Sequence, residues 1–240
     1  MAFLRLGGGC VATCFAIALL FLHGHAAAAP PRAPDLSLAP PGPVSIAMMG
    51  DSITRGGRWS ELLGREDVSN HGVVGNSSAQ IVNRMEDVYR HNPRICFIMA
   101  GVNDIAGGVP VEEVFTNIRL MVQGLRVRQI IPVLQSTLYT RIPRYNRRIE
   151  KLNGMLAAYS REFKVDFVDL NASLSHDRLL ERMYTFDGIH LRPTAYEQWR
   201  RELQRTLNRH NVRTAEVRSE APFEMPSGEA PGMARVPAGG

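Results

Sequence analysis

Between residues 44 and 212, short apolar runs alternate with longer stretches of helical spacing, and this rhythm constrains the fold more than any other feature of the chain. The apolar runs are Val44 to Met49, Val68 to His71, Ile95 to Ala100, Ile130 to Leu134 and Val165 to Leu170. Helical patterns follow them. One begins at Trp59 to Leu63. Ser78 to Arg90 sets Ile81, Met85 and Val88 on one face. Val111 to Leu125 carries an apolar stripe of Val114, Phe115, Ile118, Met121, Val122 and Leu125, with Pro110 suited to a helix start. Tyr145 to Phe163 and Pro193 to Asn208 complete the set. Pro132 has no N–H to donate, which predicts an edge or irregular position for the fourth run. Strand-helix alternation predicts a parallel sheet with helices on both faces. Ligands of such sheets bind beyond the carboxyl ends of the strands.

Outside that region the composition changes. Arg5, the apolar run Cys10 to Leu22 and the small residues Ala26 to Ala29 read as an export signal over residues 1–29. The run falls short of the roughly 20 residues a bilayer span needs. A periplasmic or secreted location is expected, without a stable membrane span once the signal is cleaved; an uncleaved anchor is the alternative. Cys10 precedes the apolar run, whereas a lipoprotein cysteine follows it. Residues 30–43 are proline-rich and read as an extended linker. Residues 213–240, rich in Pro, Gly, Ala and Glu, read as a disordered tail. One domain over 44–212 remains.

The 240 residues carry a formal net charge of +5. The arginines are scattered, Lys151 and Lys164 are the only lysines, and stacking aromatics do not accompany the charge, so no nucleic-acid partner is expected. Cys96 is the one cysteine beyond the signal and reads as a small buried core residue.

The strand ends carry the chemistry. The first apolar run leads into Gly50-Asp51-Ser52-Ile53-Thr54, a turn that can expose a serine; alone, it reads equally as a helix cap. The second leads to Gly75, whose N–H can meet an oxyanion, within a glycine-rich turn capped by Ser77 or Ser78. The third ends in Gly101-Val102-Asn103-Asp104, an amide donor or an Asx turn. After the fifth comes Asp187-Gly188-Ile189-His190-Leu191, where an Asp three residues before a His can orient its ring. Each piece has a plain structural reading. Four of them at one end of one sheet point to a nucleophilic serine with its base.

This set resembles the SGNH hydrolases, the GDSL esterase and lipase family. Gly50 to Thr54 resembles the first block, with Ile53 where leucine is common. Gly75 matches the second block, Gly101-x-Asn103-Asp104 the third and Asp187-x-x-His190-Leu191 the fifth. Ala195 before Tyr196 departs from the usual Gly-Tyr. The resemblance implies a flavodoxin-like three-layer α/β/α fold. It implies a carboxylic ester hydrolase with Ser52, His190 and Asp187 as catalytic residues. It also implies an oxyanion hole formed by the Ser52 and Gly75 N–H groups and the Asn103 side chain.

No G-x-S-x-G elbow surrounds Ser52. No metal-ligand spacing involves His71, His91, His176 or His210, and no phosphate-binding glycine loop is present. No cofactor and no metal are therefore expected. The connections Thr54 to Arg58 and Ile105 to Val109 are short, which favours an open site for small acyl groups on a carbohydrate over long lipid chains. Lysophospholipid and thioester substrates stay open. Leu138 to Tyr145 borders the expected cleft; Arg141 and Arg144 there read as solvated charges or as contacts to an anionic substrate group. Two rivals use the same residues: an acyltransferase acting on a polysaccharide, and a catalytically silent binding module. The oligomeric state is not encoded in any motif.

Overall fold

The computed structural model describes residues 44–212. The expected signal, linker and tail lie outside the described residues. Five strands, β1 (Ile46–Gly50), β2 (Val68–Gly72), β3 (Ile95–Ile98), β4 (Ile131–Gln135) and β5 (Asp166–Val168), form one parallel sheet in the order β2-β1-β3-β4-β5. The helices are α1 (Ser52–Arg55), α2 (Trp59–Leu63), α3 (Ser78–Asn83), α4 (Glu86–Tyr89), α5 (Val102–Ala106), α6 (Val111–Val127), α7 (Pro143–Phe163), α8 (Asn171–Leu174) and α9 (Pro193–Arg209). A small antiparallel hairpin, β6 (Ser175–His176) and β7 (Leu179–Leu180), precedes α9. This is the flavodoxin-like α/β/α architecture.

Alternation along β1 divides the core. Ile46 and Met48 face one helical layer with Trp59, Trp199 and Leu203; Ala47 and Met49 face the other with Ile81, Met121 and Leu156. All four β1 side chains are fully buried. A sheet covered on both faces explains why its strands read as continuous apolar runs. Each Ile or Met so buried contributes about 2 kcal/mol of transfer free energy.

Two expectations are corrected. The pattern over Ser78 to Arg90 is two helices, broken at Arg84, whose backbone leaves helical geometry (φ −116°, ψ 18°). Its guanidinium donates to Asn76 Oδ1 at 2.6 Å, to His71 O at 2.7 Å and to Gly50 O at 2.7 Å. Across the break the backbone tightens, the Arg84 N–H donating to Ile81 O at 3.1 Å and the Met85 N–H to Val82 O at 3.2 Å, while the charge-assisted bonds fix the side chain. The second correction concerns Pro132. Its strand is interior, paired with β3 and β5. The Ile131 N–H points to β3, donating to Arg94 O, so the missing donor at Pro132 points to the β5 side. There pairing starts only at Val133 with Asp166, so no ladder bond is lost.

Candidate active site

The strand order reverses between β1 and β3, and a crevice opens beyond their carboxyl ends at such a point. Ser52 follows β1 and Asn103 follows β3. Gly50 closes β1 because a Cβ there would stand 2.1 Å from Thr54 Oγ1 and 2.8 Å from Met99 O. Asp51 then caps α1, its Oδ1 accepting the Ile53 N–H at 2.9 Å. Ser52 is the first helical residue, a position whose N–H has no partner within a helix. Tyr196 of α9 donates its hydroxyl to Ile53 O at 2.7 Å, bracing this turn from behind.

Ser52 Oγ lies 2.9 Å from His190 Nε2 across 138 positions of sequence. His190 Nδ1 lies 2.6 Å from Asp187 Oδ2. Burial pushes the Asp187 carboxyl up, yet the His190 ring and the Ile189 and His190 N–H groups outweigh that and hold it below its ordinary range. An ionised carboxylate only accepts, so Nδ1 carries the proton and, in the neutral ring, Nε2 accepts from the Ser52 hydroxyl. Asp187 has a second task. Its Oδ1 accepts the Ile189 N–H at 2.9 Å and the His190 N–H at 2.7 Å, folding the loop that presents the ring. Gly188 allows that fold with φ +96°, and a Cβ on it would press on Arg141 Cβ at 3.0 Å. Thr185 closes the loop, donating to His190 O at 2.7 Å and accepting the Gly188 N–H at 2.9 Å.

Gly75 stands on the loop after β2 with φ +75°, which a side chain would strain although space around it is open. Its N–H has no hydrogen-bond partner among the described residues. The Asn103 amide donates to Asn76 O at 2.9 Å, and one of its two N–H groups stays free. Asn76 thus joins the Gly75 loop to Asn103, and Arg84 joins both to Gly50, two residues before Ser52. Ser77 forms the full capping box of α3 with Gln80. Asp104, buried, accepts the Ser78 N–H at 2.8 Å and the Ser78 hydroxyl at 2.7 Å, anchoring the start of α3 beside Asn103.

Arg84 and Asp104 are contributors that motif reasoning missed as positioning groups. Asp104 had a signal, since it closes the Gly101 to Asp104 block. Arg84 had none; in sequence it is one polar residue on an amphipathic pattern. Arg141 and Arg144 do not stand free. Arg141 donates from Nη1 to Leu180 O at 3.1 Å and from its backbone to Gly188 O at 2.8 Å. The Arg144 guanidinium lies 4.9 Å over the Tyr145 ring. Cys96 is fully buried, and desolvation pushes its thiol far up, so it is a core residue as expected.

Asp51 is fully buried, and desolvation is the main cause pushing its carboxyl from 3.8 up to about 6, against the Ile53 N–H and the His190 ring, which pull it down. Its folded value exceeds its unfolded one. The Asp51 contribution to stability is therefore fullest below pH 3.8 and falls as pH rises through about 6. The ionised form costs about 3 kcal/mol. Asp51→Asn keeps the capping oxygen without the charge. Its urea midpoint should exceed that of the wild type at pH 8 and match it near pH 3.5; an equal gap at both pH values would refute the burial argument.

Residues 48–198 match the family model of the GDSL-like lipases and acylhydrolases. The chain belongs to that family. Solved structures of the same fold include a Bacteroides fragilis protein described as a candidate acylhydrolase, 27% identical with a TM-score of 0.65, covering 73% of this chain and 93% of that one. A GDSL-like lipase of Bacteroides thetaiotaomicron is 25% identical with a TM-score of 0.65, over 72% and 93% of the two chains. An acetyl-xylooligosaccharide esterase variant from Geobacillus shares the fold at 20% identity and a TM-score of 0.60, over 68% and 94%. Among curated proteins, an N-acylneuraminate cytidylyltransferase of Streptococcus agalactiae is 30% identical over 127 residues, 52% of this chain and 31% of that protein. The chain spans about a third of the length of the curated relatives it matches.

Proposed function

We propose that the protein is a serine esterase that removes short acyl groups, acetyl foremost, from carbohydrate hydroxyls. The observation that carries this reading is the continuous hydrogen-bonded line from Ser52 Oγ through the His190 ring to the Asp187 carboxylate. In this reading His190 Nε2 takes the Ser52 proton while Oγ attacks the ester carbonyl. The oxyanion meets the Ser52 N–H, the Gly75 N–H and the free Asn103 N–H. His190 then gives its proton to the leaving alcohol, and an acyl group stays on Ser52. A water molecule, deprotonated by the same ring, attacks the acyl carbonyl and releases the acid. Asp187 keeps the ring in the tautomer the first step needs and stabilises the imidazolium.

The carbohydrate assignment draws support from the names of relatives. One neighbour acts on acetylated xylooligosaccharides, and the curated relatives act on an acylated sugar, N-acylneuraminate. Short connections after β1 and β3 also favour an open site.

A panel of esters tests the reading, with acetyl, butyryl and octanoyl groups on a sugar hydroxyl and on a simple alkyl alcohol. The full chain should hydrolyse the acetyl sugar ester fastest. Failure on every ester would end the esterase reading; preference for octanoyl would end the short-chain part of it. Asn103→Ala should lower kcat by about a hundredfold, the usual effect of losing one oxyanion donor. Its melting temperature should fall little, since a single hydrogen bond to Asn76 O is worth about 1 kcal/mol. Single-turnover kinetics check the first effect and a thermal melt the second.

A further inference from the structure

Phe186 directly precedes Asp187 and is 63% exposed. A single exposed apolar side chain is ordinary on a protein surface; what sets Phe186 apart is its place against the His190 ring. The Phe186 ring lies near-parallel to the His190 ring, 17° between planes and 5.9 Å between centroids. Phe186 is thus stacked against the ring whose Nε2 lies 2.9 Å from the Ser52 hydroxyl. The loop is not loose. The isolated bridge between Thr185 and Leu191, the Thr185 hydroxyl bonds and the Arg192 Nε bond to Thr185 O at 2.8 Å hold the backbone on either side of Phe186. Exposure here is built in, not a consequence of a free end.

The position of this surface decides what it can touch. His190 and Phe186 stand on the loop entering α9, whose apolar face packs on the same side of the sheet as Trp59. The Gly75 loop leads into α3, and Asn103 stands on α5, which α6 follows; the apolar residues of α3 and α6 pack on the opposite side. Ser52 lies between. In the proposed reaction the proton returning from His190 Nε2 goes to the leaving oxygen, so the alcohol must lie against the His190 side. The large exposed apolar group on that loop nearest the ring is Phe186.

We infer that Phe186 is a specificity-determining residue, an aromatic platform that receives the leaving alcohol and favours a pyranose ring, whose axial C–H face packs on an aromatic face, over a small acyclic alcohol. The inference rests on the esterase reading and adds the alcohol subsite to it. A single exposed ring offers one flat face, which suits a ring-shaped alcohol.

The test uses acetyl esters alone, so that the acyl-enzyme and its hydrolysis are the same throughout and kcat/KM reads the acylation step. Ethyl acetate and a methyl xylopyranoside monoacetate are compared for the full chain, for Phe186→Ala and for Phe186→Trp. Phe186→Ala should lower the pyranoside-to-ethyl ratio of kcat/KM by about tenfold, the scale of one aromatic stacking contact. Phe186→Trp should restore the ratio. A ratio unchanged in Phe186→Ala overturns the platform. So does an equal fall on both esters, which would mean that Phe186 only props His190. Wild-type inactivity on both esters would instead defeat the esterase reading itself, and the platform with it.

Discussion

Ser52→Ala should reduce turnover of a chromogenic acetate ester by about 10⁶-fold, the scale seen when a serine nucleophile is removed from a relay that acts as a unit. The geometry behind this expectation is the 2.9 Å approach of Ser52 Oγ to His190 Nε2. Alanine leaves the backbone of α1 intact, because its cap comes from Asp51 and its brace from Tyr196. The variant should therefore melt with the wild type. A fluorophosphonate probe should label the wild type at residue 52 and leave Ser52→Ala unlabelled. Residual activity near the wild-type level in a folded Ser52→Ala protein would remove the nucleophile from the proposed mechanism.

The second large effect belongs to Asp187. In Asp187→Asn, the amide oxygen can still accept the Ile189 and His190 N–H groups, so the loop keeps its fold. The amide nitrogen then faces His190 Nδ1 with a donor, which drives the ring proton to Nε2 and blocks acceptance from Ser52. For a fully buried aspartate this change costs on the order of 10⁴ in kcat. The Asp187 side chain is 42% exposed, and water can partly take its place. The expected loss is therefore smaller, about 10³-fold at neutral pH. Steady-state kinetics measure it, with circular dichroism to confirm the fold. A loss below tenfold would mean that Asp187 turns the loop and does nothing for the ring.

Much of the fold was legible because burial on both faces leaves a mark in composition. Runs such as Ile95 to Met99 are apolar at every position, since each side chain meets one helical layer or the other. The long helices α6, α7 and α9 were legible for a similar reason: each shows one face to the core. Short elements were not. The four-residue helix α1, the five-residue α5 and the β6–β7 hairpin are too brief to repeat a period. The break at Arg84 was invisible because its cause lies in Gly50, His71 and Asn76, and no local preference records those partners. Pro132 misled for a related reason. A missing donor matters only where a neighbouring strand would have used it, and β5 starts one residue too late to do so.

By itself, the amino-acid order determined the layer architecture and the identity of the groups at the strand ends. Periodicity is a local consequence of burial, and motif residues are read position by position. Tertiary structure alone decided that the Ser52 hydroxyl meets the His190 ring, that Asp187 accepts from that ring and from two backbone N–H groups at once, and that Phe186 stands in water beside it. Those facts depend on distances between segments far apart in the chain. They follow from how the loop before α9 closes over the end of β1, and no local propensity encodes that closure.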